Sequence, residues 1–183
     1  MRQVLTTMHV RLTLAVLIAG LFTGCQYRWG SLMHPQVKTI AIGDVQNGTR
    51  EPQLATLLKA KLADKIMIDG SLKLVPVSTA DAILTATIRT IDYQALAATK
   101  QRDEDARQDD KHEYQSSLYR ATITLDITVK VPGKETPLVS DCTVKGVGDY
   151  NRLPDPQMAR RAAYDLALRD AAVKAVAEIT EAW

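Results

Sequence analysis

The chain has 183 residues, with 23 Lys and Arg against 21 Asp and Glu, three His and two Cys. That length suits one domain with its own core. The near balance of charge argues against nucleic acid as a partner and against a polybasic membrane-surface protein, both of which need a basic surface.

The first 25 residues carry an export signal. Arg2 and Arg11 precede an apolar run, Leu12 to Phe22, interrupted only by Thr13. A basic start, an apolar stretch of about 11 residues and a small-residue end form a secretory signal too short to span a bilayer. Thr23-Gly24 leads directly into Cys25, the pattern of a bacterial lipoprotein signal in which the thiol is acylated and becomes the new N-terminus. An ordinary cleaved signal and an uncleaved anchor are the alternatives, and Met8 is an alternative start. Gln26 stands where lipoproteins retained in the inner membrane often have Asp, which points to the outer membrane. Each buried lipid methylene contributes ~0.8 kcal/mol and two or more chains give stable attachment, so an acylated Cys25 would hold the domain at the membrane.

Cleavage before Cys25 would remove Arg2 and Arg11 and leave 21 bases against 21 acids. It would also leave Cys142 as the only free thiol, so no internal disulfide is expected. Cys142 falls at an inward strand position and is expected to be a small buried apolar residue.

Residues 25–36 read as a lipidated tether and 37–183 as a single domain. Val37 to Val45 is β-branched and short, a strand. Asn47-Gly48-Thr49 is a turn that also fits a glycosylation sequon. A helix follows, with Pro52 suited to its first turn. Leu54, Leu57, Leu58, Leu62 and Ile66 form its apolar stripe, and Gly70 stops it. Leu72 to Val77 is a short strand.

Two long strands come next. Ala82 to Tyr93 alternates, with Leu84, Ala86 and Ile88 on one face. Tyr119 to Val131 alternates more cleanly, odd positions apolar and even positions polar, the strongest strand signal in the chain. One buried and one wet face imply an antiparallel sheet covered on one side. Gln94 to Ser117 between them has no pattern and reads as a long polar tip. Pro132-Gly133 begins a turn into a partner strand, Leu138 to Tyr150, with Cys142 and Val144 inward.

Asp155 N-caps a last helix with Pro156 at its first position, expected to run almost to Trp183. Its expected core stripe is Met158, Ala162, Leu166, Val173, Val176 and Ala177, with Asp165–Arg169 and Asp170–Lys174 paired at i,i+4 on its polar sides. The order β-α-β-β-β-β-α predicts an α+β two-layer sandwich, two helices on one face of a mainly antiparallel four- to five-stranded sheet.

Little in the chain suggests catalysis. His34 and His112 have no Cys or His at metal-ligand spacing. No G-x-S-x-G elbow or P-loop is present. Gly146-Val147-Gly148 lacks the third glycine of a dinucleotide loop. Asp103, Glu104, Asp105, Asp109 and Asp110 do not have calcium-loop spacing and read as a solvated charge run. Neither enzyme activity, metal nor cofactor is expected.

Several blocks resemble the LptE family of lipopolysaccharide-assembly lipoproteins. Cys25-Gln26-Tyr27, His34-Pro35-Gln36-Val37-Lys38-Thr39-Ile40-Ala41-Ile42 and Asn47-Gly48-Thr49-Arg50-Glu51-Pro52 are similar to the family's opening. Tyr119 to Ile127, Val131-Pro132-Gly133-Lys134 and Asp155-Pro156-Gln157-Met158-Ala159 match further on. Gln26 departs from the family's usual Gly, and Gly43-Asp44 breaks the apolar end of the first strand. The resemblance implies a non-catalytic role: a lipoprotein at the periplasmic face of the outer membrane that plugs the large β-barrel LptD, assists delivery of lipopolysaccharide and binds it. Binding a phosphorylated glycolipid needs cations, and Arg suits bidentate phosphate contacts. The bases in the two regions the family implies are Lys111 and Arg120 near the hairpin tip, and Arg160 and Arg161 at the start of the last helix, whose N-terminus also favours anions. The competing reading is an outer-membrane lipoprotein that activates a peptidoglycan synthase. Such proteins share the opening strand, N-x-T turn and helix, but not the long hairpin with the later helix start.

Overall fold

The computed structural model describes residues 36–100, 114–151 and 155–181. The signal, most of the tether, His34, Lys111, His112 and the acidic run at 103–110 lie outside the described residues. Strand β1 (Thr39–Asn47) is followed by helix α1 (Leu54–Asp69), strands β2 (Lys73–Leu74), β3 (Ala82–Lys100), β4 (Tyr114–Lys130) and β5 (Val139–Asn151), and helix α2 (Pro156–Thr180). They form one sheet in the order β2-β1-β3-β4-β5. Strands β3, β4 and β5 pair antiparallel, as expected. The pairings of β1 with β2 and with β3 are parallel, so the sheet is mixed. The reason is connectivity: α1 carries the chain back along the sheet, so β2 runs in the direction of β1, and the short segment after β2 returns the chain to start β3 in the same direction.

Both helices cover one face. In α1 the i,i+4 row Leu54, Leu58, Leu62 and Ile66 is buried. Leu57 is 37% exposed, so the stripe is narrower than the sequence suggested. Gly70 adopts φ 71° and donates its N–H to the Ile66 carbonyl at 3.1 Å, a left-handed C-cap. Pro52 lies ahead of the helix rather than in its first turn. The Asn47 side chain accepts from the Thr49 N–H (3.0 Å) and hydroxyl (2.7 Å) and donates to the Glu51 carbonyl (2.7 Å), fixing residues 47–51 as a turn. Gln53, at φ 67°, then leads into the helix.

Strand β2 is only two residues, shorter than 72–77, because Pro76 has no N–H for the ladder and a 3-10 turn begins at Val77. The alternation of β4 is as the sequence dictates: Ala121, Ile123, Leu125, Ile127 and Val129 are buried under the helices. They meet Leu84, Ala86 and Ile88 of β3 and Val144 of β5. Cys142 is half-buried, paired opposite Ile127 at the edge of this core.

The segment 94–117 is not a patternless tip throughout. β3 continues to Lys100 and β4 starts at Tyr114, with backbone pairing through Ala98↔Ser116 and Lys100↔Tyr114 and register shifts around Ala97. Gln94 to Ala97 are exposed. This ribbon projects beyond the helices, so neither face had to be apolar and the periodicity of two vanished while the strands went on.

The Asp155 carboxylate caps α2, accepting from the N–H groups of Gln157 (2.8 Å) and Met158 (3.2 Å). The core face of α2 differs from expectation. Its buried residues include Ala163, Ala167, Leu168, Ala171, Ala172, Ala175, Val176 and Ile179. Met158, Leu166 and Val173 are 70%, 49% and 41% exposed. The cause lies on β5. A Cβ on Gly146 would overlap the Ala167 carbonyl oxygen and lie 2.6 Å from the Ala171 nitrogen; one on Gly148 would overlap the Ala163 carbonyl. Where α2 crosses Gly146 and Gly148 only the row Ala163, Ala167 and Ala171 fits against the strand, which turns Leu168, Val176 and Ile179 into the core and Met158, Leu166 and Val173 outward. Asp170–Lys174 pair at 2.7 Å as expected, but Asp165 pairs with Lys61 of α1 at 2.6 Å instead of Arg169.

Candidate functional site

Strand β1 and helix α2 fix two ends of the sandwich. At one end lie Gln36, where the chain enters the sheet, the Pro132-Gly133 turn and the C-terminus of α2. At the other lie the 48–53 turn, the β3–β4 ribbon and the N-terminus of α2. The described candidates Arg120, Arg160 and Arg161 all belong to this second end, while Lys111 lies outside the described residues.

They do not share one surface. Arg120 stands on the open face of the sheet, next to inward-facing Tyr119. Its guanidinium makes a fork with Asp149 of β5, Nε–Oδ1 at 2.7 Å and Nη2–Oδ2 at 2.8 Å. That pair holds Asp149 below the usual carboxylate range and raises Arg120 further. Arg120 is thus already matched by a carboxylate. On the same face Arg89 pairs with Asp126, which accepts from the Thr143 hydroxyl at 2.8 Å.

Arg160 lies on the other face, on the first turns of α2. Its guanidinium carbon is 5.7 Å from the centre of the Tyr93 ring, within cation–π range. A hydrogen bond to the Tyr150 hydroxyl raises its pKa. Tyr150 stacks on Tyr119 with ring centres 5.6 Å apart. The Tyr93 hydroxyl bonds that of Tyr164, whose ring is buried. Burial first, then Tyr93 and the Glu51 carboxylate, hold the Tyr164 phenol far above its ordinary value, so it stays neutral. The cluster ties the base of the ribbon, the start of α2 and the 47–51 turn together. Arg160 is exposed at its rim, and Arg161, the next residue of the helix, is exposed as well. An oriented guanidinium beside a second Arg, on an aromatic floor, suits an anionic group attached to a sugar.

The start of α2 does not add the anion site expected of it. Asp155 already takes the N–H groups of Gln157 and Met158, and its negative charge stands where an anion would sit. The tyrosines were not singled out from sequence as part of a site. The signal was present for Tyr119 and Tyr150, which fall on inward positions by alternation, but not for Tyr93, which has the parity of the outward Thr85, Thr87 and Arg89 and is turned to the helix face by the register shift between Ile88 and Thr90. Cys142 is pushed above the ordinary thiol range by burial and by the charges of Glu178 and Asp126, which disfavours its thiolate. Among the described residues no group of three or more His, Cys, Asp or Glu is placed to hold a metal ion.

A family model described as LptE, lipopolysaccharide-assembly, matches residues 37–182. No curated protein matches the chain. Among solved structures, protein XCC0632 of Xanthomonas campestris is similar at 11% identity, with 85% of this chain and 88% of that one covered and a TM-score of 0.52. A minor lipoprotein of Acinetobacter baumannii is 12% identical over 79% of this chain and 94% of its own, TM-score 0.45. An uncharacterized lipoprotein B of Nitrosomonas europaea is 12% identical over 79% and 80%, TM-score 0.43.

Proposed function

Because the chain belongs to the LptE lipopolysaccharide-assembly family, we propose that it is a non-catalytic outer-membrane lipoprotein that plugs an LptD-type β-barrel and assists delivery of lipopolysaccharide to the outer leaflet. The family match over residues 37–182 is the observation that carries this reading. Residues 1–24 are the signal, Cys25 is the acylated anchor on the periplasmic side, and residues 26–36 are the tether. A sheet with one polar face suits a water-filled barrel lumen. The tether joins the domain at Gln36, at the end opposite Arg160 and Arg161.

Lipopolysaccharide meets the rim through Arg160 and Arg161; Arg120, on the opposite face of the sheet, and Lys111 are the further candidates to test. Arg120 ranks behind the α2 pair because Asp149 already holds it. The test is co-purification of the full chain from its own envelopes in mild detergent. A large outer-membrane barrel at near-equal stoichiometry is expected; a peptidoglycan synthase with no barrel would favour the competing role. A direct titration with lipopolysaccharide then assigns the bases. The variant Arg160→Asp/Arg161→Asp is expected to bind at least tenfold more weakly (about 1.4 kcal/mol), and unchanged binding removes both residues from the site.

A further inference from the structure

Strand β5 ends the sheet: β4 pairs with one side of it, and among the described residues no strand pairs with the other. Such an edge presents free N–H and C=O groups to any passing strand. Here the groups at mid-strand are taken by one turn of α2. Lys174 Nζ donates to the Lys145 carbonyl at 2.8 Å, and the Val147 N–H donates to Asp170 Oδ2 at 3.0 Å. The two side chains pair with each other at 2.7 Å. They form a clip over the edge.

Beside the clip lies an apolar step that the fold leaves uncovered. Val147, Leu166 and Val173 are 38%, 49% and 41% exposed and line an open hollow of about 460 Å³. The edge also complements itself. If a second β5 pairs antiparallel about Val147, Lys145 faces Asp149 of the other copy and Thr143 faces Asn151. Opposite charges directly across strands stabilise a pair, and a two-fold axis gives both contacts twice. The same axis brings Leu166 and Val173 of each copy towards the junction, covering surface that one chain leaves wet.

We propose that β5 is a self-complementary docking edge for a second copy of this chain, held shut in the single chain by the Asp170–Lys174 clip across Lys145 and Val147. The clip works by occupation. A second strand must displace two charge-assisted hydrogen bonds before it gains its own.

The experiment compares the full chain, produced without the barrel and purified in mild detergent, with the variant Asp170→Ala/Lys174→Ala made in the same way. Mass is read by light scattering after subtraction of the micelle, and the Val147 amide by hydrogen exchange. The unaltered chain is expected to be a monomer with a protected Val147 amide. The double variant is expected to double its mass, and adding Lys145→Glu, which sets Glu against Asp149 across the axis, should return it to monomer. A double variant that stays monomeric, an unaltered chain that is already dimeric, or a dimer indifferent to Lys145→Glu each overturns the proposal. Should the double variant lose its helical signal, Asp170→Met/Lys174→Met, which removes both bonds of the clip and keeps side-chain length on the helix, is the second test. A folded Asp170→Met/Lys174→Met chain with no dimer overturns the proposal as well.

Discussion

Replacing Gly146 with Ala tests why α2 lies where it does. The added Cβ would overlap the Ala167 carbonyl oxygen and stand 2.6 Å from the Ala171 nitrogen and 2.7 Å from its Cβ. The first two obstacles are helix backbone, so no rotamer change relieves them. The helix must lift by about 1 Å, and a gap of that size forfeits a quarter to a half of each dispersion contact along the seam. Overpacking a well-packed core costs typically 1–3 kcal/mol and more where backbone must move, so a loss of about 3 kcal/mol is expected. That is a large share of the 5–15 kcal/mol typical of a domain. Urea unfolding followed by far-UV circular dichroism reads it: with a slope of roughly 2 kcal/mol per M, the midpoint falls by about 1.5 M. Gly148→Ala meets the same helix at Ala163 and 3.0 Å from the Ala167 nitrogen. One lift relieves both substitutions, so the double variant should lose clearly less than the two single losses added. A Gly146→Ala chain within about 0.5 kcal/mol of the parent, or strict additivity, would refute the close-approach account.

Other substitutions separate the two faces of α2. Leu168→Ala removes a fully buried side chain and is expected to cost about 2–5 kcal/mol, whereas Leu166→Ala on the outer face should stay within about 0.5 kcal/mol, both measured by the same denaturation. Asp155→Ala should cost about 1 kcal/mol through loss of the cap, visible as a lower melting temperature. Asp81 holds the start of β1 through the Thr39 side chain and the N–H groups of Lys38 (3.1 Å) and Thr39 (2.9 Å), and its carboxyl lies below the ordinary 3.8. Its stabilisation is therefore fully present above that value and lost as pH falls through the lowered one. An acid titration of stability should show a shallower decline below about pH 4 in Asp81→Asn than in the parent. Cys25→Ala, provided the signal is still cleaved, should move the chain from the membrane to the soluble periplasmic fraction; retention in the membrane would show an anchor other than the acyl group.

Much of this protein was legible in one dimension because the signals were local. Alternation in Tyr119–Val131 follows from strand geometry and a single buried face, and it placed the core of β4 residue by residue. Asp155 with Pro156, and Gly70, marked helix ends because each satisfies backbone groups of its own segment. The opening motifs and the D-P-Q-M-A helix start pointed to the family later found over residues 37–182. The candidate bases Arg120 and Arg160 were proposed by type and position, and their surroundings were not legible, since Asp149, Tyr150 and Tyr93 come from other strands. The β3–β4 ribbon escaped notice because a strand that covers nothing carries no hydrophobic period. The direction of β2 and β3 relative to β1 depended on the path through α1. Above all, the phase of α2 could not be read from the helix. The row Met158, Leu166 and Val173 and the row Ala163, Ala167 and Ala171 define competing faces, and hydrophobicity alone favours the former. Two glycines on β5 decide the contest by bringing strand and helix so close that, where they cross, only the alanine methyl groups fit.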